Sequence, residues 1–159
     1  MTTKYTKEVT KAILKIAKKC KKIIDVNSED NIWIGTAKGP AKDGTYFVSD
    51  VTLALRNSKV LVIQLCDSQS RDQKKIYGDF FTALISREIS KVYFIVPPDK
   101  EEDINKLCRV SVSNLKHRLR VKEEKIVEWR VFSIPKKQKR IIENRIKTLA
   151  LEEKWGFNE

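Results

Sequence analysis

The strongest constraint in this chain is a pair of short, almost wholly apolar runs, KVLVIQL at 59–65 and KVYFIV at 91–96. Each is too short for an ordinary helix and too apolar to present a wet face, so each reads as a strand covered on both sides. Between them, from about residue 71 to 85, Ile76, Tyr77, Phe80, Phe81 and Leu84 recur at helical spacing, after Ser68 or Ser70 as a cap. Strand, helix and strand in that order form a crossover, with the helix lying on a face of the sheet.

The flanking segments extend this pattern. A helix is predicted over 5–24, capped by Thr6, with Val9, Ile13, Ile16, Cys20 and Ile23 facing inward. Lys7, Lys11, Lys15, Lys18 and Lys22 form its second stripe, which could meet phosphates or simply supply the wet face. Strands follow at 31–38 and 45–56, the second ending at Asn57-Ser58. Beyond Pro97-Pro98 come a helix at 101–119, a strand at 125–134 and a helix at 136–155 opened by Pro135. In that strand Val127, Trp129 and Val131 alternate with Glu128 and Arg130, so one face is buried and the other wet. The order α, β, β, β, α, β, then α, β, α implies an α/β fold, a mixed sheet flanked by helices, in one domain of 159 residues.

Composition narrows the function. The 33 Lys and Arg outnumber 21 Asp and Glu, a formal net charge of +12 that favours a polyanionic partner, nucleic acid first. The competing reading is a lysine-rich solvated surface. No apolar run reaches the roughly 18 residues that span a bilayer, and MTTKYTKEVTK lacks the apolar stretch of a signal peptide. A cytoplasmic, reducing setting without a membrane partner is therefore expected. Cys20, Cys66 and Cys108 are odd in number and sit among apolar residues, as reduced core thiols would. His117 is the only histidine, which starves a zinc site or a Ser/His/Asp hydrolase, and no phosphate-binding glycine motif is present.

Chemistry concentrates at Asp50 and, after thirteen intervening residues, Gln64-Leu65-Cys66-Asp67. Gln64 and Cys66, two apart on one strand, point to one face, and a hairpin could bring Asp50 beside them. Oxygen donors so arranged could hold a divalent cation for phosphodiester hydrolysis. Element order plus an acid on the second strand and a triplet on the third is similar to the PD-(D/E)xK nuclease superfamily, nearest to Mrr-like members with Gln in the triplet. The resemblance covers residues 5–96, with 99–156 as an α-β-α extension of that restriction-endonuclease-like αβββαβ core. It implies a Mg2+- or Mn2+-dependent endonuclease acting on DNA, as a homodimer or with a partner subunit.

Under that resemblance Asp50 is the central metal ligand, Gln64 and the Leu65 carbonyl add oxygens, and Glu8 matches the helical glutamate. Cys66 stands where the family has lysine, and a thiol with a pKa near ~8.5 cannot replace a fixed cation. Either Lys74 or Lys75 has taken over that role, or the chain is a catalytically silent DNA-binding or nuclease-partner relative; an unrelated interaction module is the third reading. Each position also has a plain structural role: Asp50 as a strand residue, Gln64 as a buried hydrogen-bonding group, Glu8 as a helix-dipole partner, Asp67 as a turn residue or extra ligand. Arg71, Gln73, Lys74 and Lys75 could meet phosphate at a helix start, and Lys136, Lys137, Lys139 and Arg140, with Arg145 and Lys147, form the densest basic patch. Lys116, Arg118, Arg120 and Lys122 form another, while Trp33, Trp129 and Trp155 are too scattered for a stacking platform.

Overall fold

A computed structural model describes residues 3–33, 46–67 and 89–158. The helix expected at 71–85 and the second half of the strand expected at 31–38 lie outside the described residues. The elements in chain order are α1 (Lys4–Ala17), β1 (Ile23–Trp33), β2 (Tyr46–Leu55), β3 (Val60–Leu65), β4 (Ile89–Val96), α2 (Glu101–His117), β5 (Glu128–Ser133) and α3 (Lys139–Glu152). The strands form one mixed sheet in the order β1-β2-β3-β4-β5. The first three pair antiparallel, and β3, β4 and β5 run parallel.

Side-chain parity divides the core in two. Along β3, Leu61 and Ile63 join Val51 and Leu53 of β2 under α1 and α3. Val62 and Cys66 point the other way, into a second cluster with Ile104, Cys108 and Leu115 of α2. Burial on both faces is what the apolar runs of β3 and β4 require, because neither alternates with polar residues. The β2–β3 register is set by a tight turn: Leu55 N–H donates to Lys59 O (2.9 Å), Lys59 N–H to Asn57 Oδ1 (3.2 Å), and Ser58 takes φ 65°. The pairs Ala54/Val60, Leu53/Leu61, Thr52/Val62 and Val51/Ile63 follow from it.

Several boundaries differ from the sequence reading. The first helix ends at Ala17, not near residue 24, and Ile23 already belongs to β1. Cys20 and Ile23 continue the helical spacing, but tertiary pairing wins: Cys20 bridges Phe157, while Lys21 and Lys22 N–H donate to Gly156 O and Trp155 O. The cap is Thr3, whose hydroxyl accepts from Thr6 N–H, so Thr6 is the capped residue. β5 starts at Glu128 because 123–125 form a single 3-10 turn. The last helix starts at Lys139 behind the N-cap Gln138, so Pro135 precedes it instead of opening it. No helix among the described residues is long and apolar enough to cross a membrane.

The chain end is latched onto the sheet. Gly156 adopts φ +83°, and a Cβ there would lie 3.1 Å from the backbone nitrogens of Lys21 and Lys22, so the close approach needs glycine. Trp155 is 2% exposed and meets Tyr93 edge to face at 5.7 Å. Beside it Glu153 receives Lys91 (2.7 Å), Tyr93 Oη and Arg130 Nη1 (2.9 Å). Burial pushes the Glu153 carboxyl pKa up, but the bonds from Lys91, Tyr93 and Arg130 outweigh it and hold the value below the ordinary 4.5.

A carboxylate depressed in this way stabilises the fold above the unfolded-state value, and that contribution disappears as pH falls through the native one. Glu153→Gln should therefore melt below the wild type at pH 7, and the gap should close on acidification below about pH 4.5; a gap independent of pH would refute the assignment. Trp155→Ala is expected to cost roughly 3–5 kcal/mol in urea unfolding, as for other buried aromatics.

Candidate functional site

The β2–β3 ladder stops at Val51/Ile63, and one residue further Asp50 and Gln64 take over its hydrogen bonding. Asp50 N–H donates to Gln64 Oε1 (2.9 Å), and Leu65 N–H donates to Asp50 Oδ2 (2.8 Å). The two side chains thus sit side by side on touching strands. By strand parity they lie on the α2 face of the sheet, with Thr52, Val62 and Cys66. Gln64 is 6% exposed and Asp50 half-buried. Cys66 N–H meanwhile donates to Ile95 O (2.9 Å), so β3 stays attached to β4 after leaving β2. A buried carboxamide in an apolar strand needs a partner, and here it finds the backbone of the neighbouring strand.

The other expected ligands are not gathered at this pair. Glu8 belongs to α1, which packs on the opposite face, and its carboxylate lies 3.9 Å from Lys4 Nζ. Lys74, Lys75 and Arg71 lie outside the described residues. Among the described residues no three His, Cys, Asp or Glu side chains converge as a metal-binding group. A hard divalent cation takes about six oxygen ligands. Here it would share Asp50 Oδ2 and Gln64 Oε1 with two backbone N–H groups, so the described donors alone do not fit the magnesium site that the resemblance implies. The three cysteines form no disulfide and are buried; burial pushes Cys20 up to about 11 and Cys108 up to about 12, which keeps both protonated.

A second polar cluster lies at the carboxyl end of β3, on the α1 side. The Asp67 side chain is 6% exposed, with Lys136 Nζ 2.7 Å from Oδ1 and the Thr3 hydroxyl donating to Oδ2 (2.9 Å). Lys136 Nζ also lies 5.7 Å from the Tyr5 ring, and Tyr5 Oη donates to Ile134 O (2.7 Å). Burial, then the charge of Asp67, raises the Tyr5 pKa, so the phenol stays protonated. Asp67 therefore ties the start of α1 and the approach to α3 to the end of β3. The sequence offered an acid after a strand but no sign of a partner sixty-nine residues away.

The basic residues separate by layer. Between residues 4 and 22 there are eight lysines and one glutamate; between 136 and 154, seven Lys and Arg and three glutamates. These two stretches carry eleven of the twelve net positive charges, and their helices pack against each other on one face of the sheet. Lys137 and Arg140 are exposed, whereas Lys136 serves Asp67 and Lys139 lies 3.9 Å from Glu143. Arg145 is spent on Ser133 O (2.8 Å) and the Phe132 ring (4.2 Å). On the α2 face, residues 97–125 hold eight Lys and Arg and six Asp and Glu, close to balance.

No family model, curated protein or solved structure matches the chain.

If Asp50 serves the strands, the substitutions order themselves by acceptor chemistry. Asp50→Asn keeps an oxygen for Leu65 N–H and should cost under about 1 kcal/mol, whereas Asp50→Ala orphans that donor at roughly 1–3 kcal/mol. Chemical denaturation measures both, and equal losses would show that the Leu65 bond contributes nothing.

Proposed function

We propose that the protein binds nucleic acid through a nuclease-like α/β core in which the Asp50–Gln64 pair fastens β2 to β3. The observation that carries this reading is the distribution of charge: among the described residues the cationic excess belongs to the stretches that carry α1 and α3. Scattered surface lysines would raise solubility without making a field; a one-sided excess attracts and orients a polyanion. The mixed sheet flanked by helices supports the architectural half of the proposal, since it agrees with the core that the resemblance implies. The engagement of Asp50 Oδ2 and Gln64 Oε1 by backbone N–H groups favours binding over hydrolysis.

A Mg2+- or Mn2+-dependent endodeoxyribonuclease is the second reading. It is favoured by one specific observation, a carboxylate and a carboxamide side by side on neighbouring strands. In that case Asp50 and Gln64 would supply only part of the oxygen shell that a hard cation requires.

Purified protein should bind duplex DNA with log affinity falling linearly in log salt, losing roughly a few hundredfold between about 50 and 200 mM if five phosphates are contacted. Supercoiled plasmid should remain intact with Mg2+ or Mn2+. Nicking that Asp50→Ala abolishes would install the second reading instead. Failure to bind any nucleic acid at low salt would reject both and leave an interaction module.

A further inference from the structure

The α1 surface has a geometry that net charge alone does not convey. At 100° per residue, Lys4, Lys7, Lys11, Lys15 and Lys18 fall within about 80° of arc, directly opposite the buried stripe of Val9, Ile13 and Ile16. All five lysines are exposed. Lys4 and Lys15 approach Glu8 and Glu143, while Lys7, Lys11 and Lys18 pair with no described acid. The row runs about 21 Å along the helix, a length over which a duplex presents about a dozen phosphates. It points away from the sheet, and Lys137 and Arg140 at the neighbouring start of α3 continue the exposed charge.

Among the described residues the same layer lacks what base reading needs. Tyr5 is the one aromatic residue in α1, it is buried, and α3 has none. Without exposed rings, single-stranded bases have nothing to stack on. Without a ring or fork of side chains at the centre of the row, sequence readout is also unsupported, whereas a line of ammonium groups suits phosphates of any sequence. Asp50 and Gln64 lie across the sheet from this row, on the α2 face.

We propose that the lysine row of α1, flanked by the start of α3, is a backbone-tracking surface for duplex nucleic acid, located on the sheet face opposite the Asp50–Gln64 pair. This rests on the nucleic-acid reading above and adds where the duplex lies and how it is held. Binding is consequently indifferent to base sequence and separable from any event at Asp50 and Gln64.

The test is fluorescence anisotropy with the whole protein and three DNA probes of equal length: two duplexes of unrelated sequence and one single strand. The two duplexes should bind within about threefold of each other, and the single strand about tenfold more weakly, since it offers fewer condensed counterions and finds no stacking surface. Lys7→Gln/Lys11→Gln/Lys18→Gln should flatten the log–log salt slope by about three, roughly one unit per lost phosphate contact. The matching change on the other face, Lys106→Gln/Arg109→Gln/Lys122→Gln, should leave the slope in place, and melting curves confirm that both variants fold. An equal loss from both triples, a preferred sequence, or tighter binding of the single strand would overturn this surface while leaving nucleic-acid binding intact. No binding to any probe would instead remove the reading on which it rests.

Discussion

Side-chain parity along β3 governs the rest of the molecule. A strand buried on both faces has no neutral side, so each residue must suit one of two different layers. Leu61 and Ile63 seat α1 and α3; Val62 and Cys66 face α2. The turn at Asn57-Ser58 fixes which residue of β2 meets which of β3, and a slip of one would put Asp50 and Gln64 on opposite faces of the sheet. The position of the polar pair is thus a consequence of hydrophobic burial in the turn-to-ladder segment, not an independent feature.

That parity also separates two properties which composition merges. Among the described residues the cationic excess belongs to the α1 and α3 stretches and the Asp50–Gln64 pair to the α2 face. Segregation of charge to one layer has a mechanical basis as well. Lys15 reaches Glu143 across the helix pair (3.2 Å), so one of the few acids in the layer serves to join its two helices. Lys136 is likewise held by Asp67 at the rim. Exposed pairs such as Lys15–Glu143 contribute little stability individually, but each also removes an ammonium group from the free cationic surface, which leaves Lys7, Lys11 and Lys18 as the cations without a described acidic partner on the row.

How much was legible in the sequence follows from the range of the forces involved. The apolar runs of β3 and β4 announced buried strands because their requirement is local: no wet face, hence cover on both sides. The neighbourhood of Asp50 and Gln64 was legible too, since a three-residue turn and matched spacing determine a hairpin. β1 was not, because Asp25, Asn27 and Ser28 are exposed on an edge strand and need no apolar alternation. Its first residues continue the helical spacing of α1, and only pairing with Trp155–Phe157 near the chain end shows otherwise. The burial of Asp67 failed for the same reason: its partners Thr3 and Lys136 come from distant parts of the chain.

The role of a polar residue is harder to read than its place. Gln64 in LVIQLC signals a buried amide, and burial demands a hydrogen bond, but a metal ion, a substrate and a neighbouring N–H all meet that demand. The reciprocal bonds between the Asp50 and Gln64 side chains and the opposing backbone show how the demand is met without a ligand. An arrangement of oxygens suited to a hard cation and one suited to fastening the end of a hairpin therefore look alike along the chain, and the directions from which their donors arrive are what tell them apart.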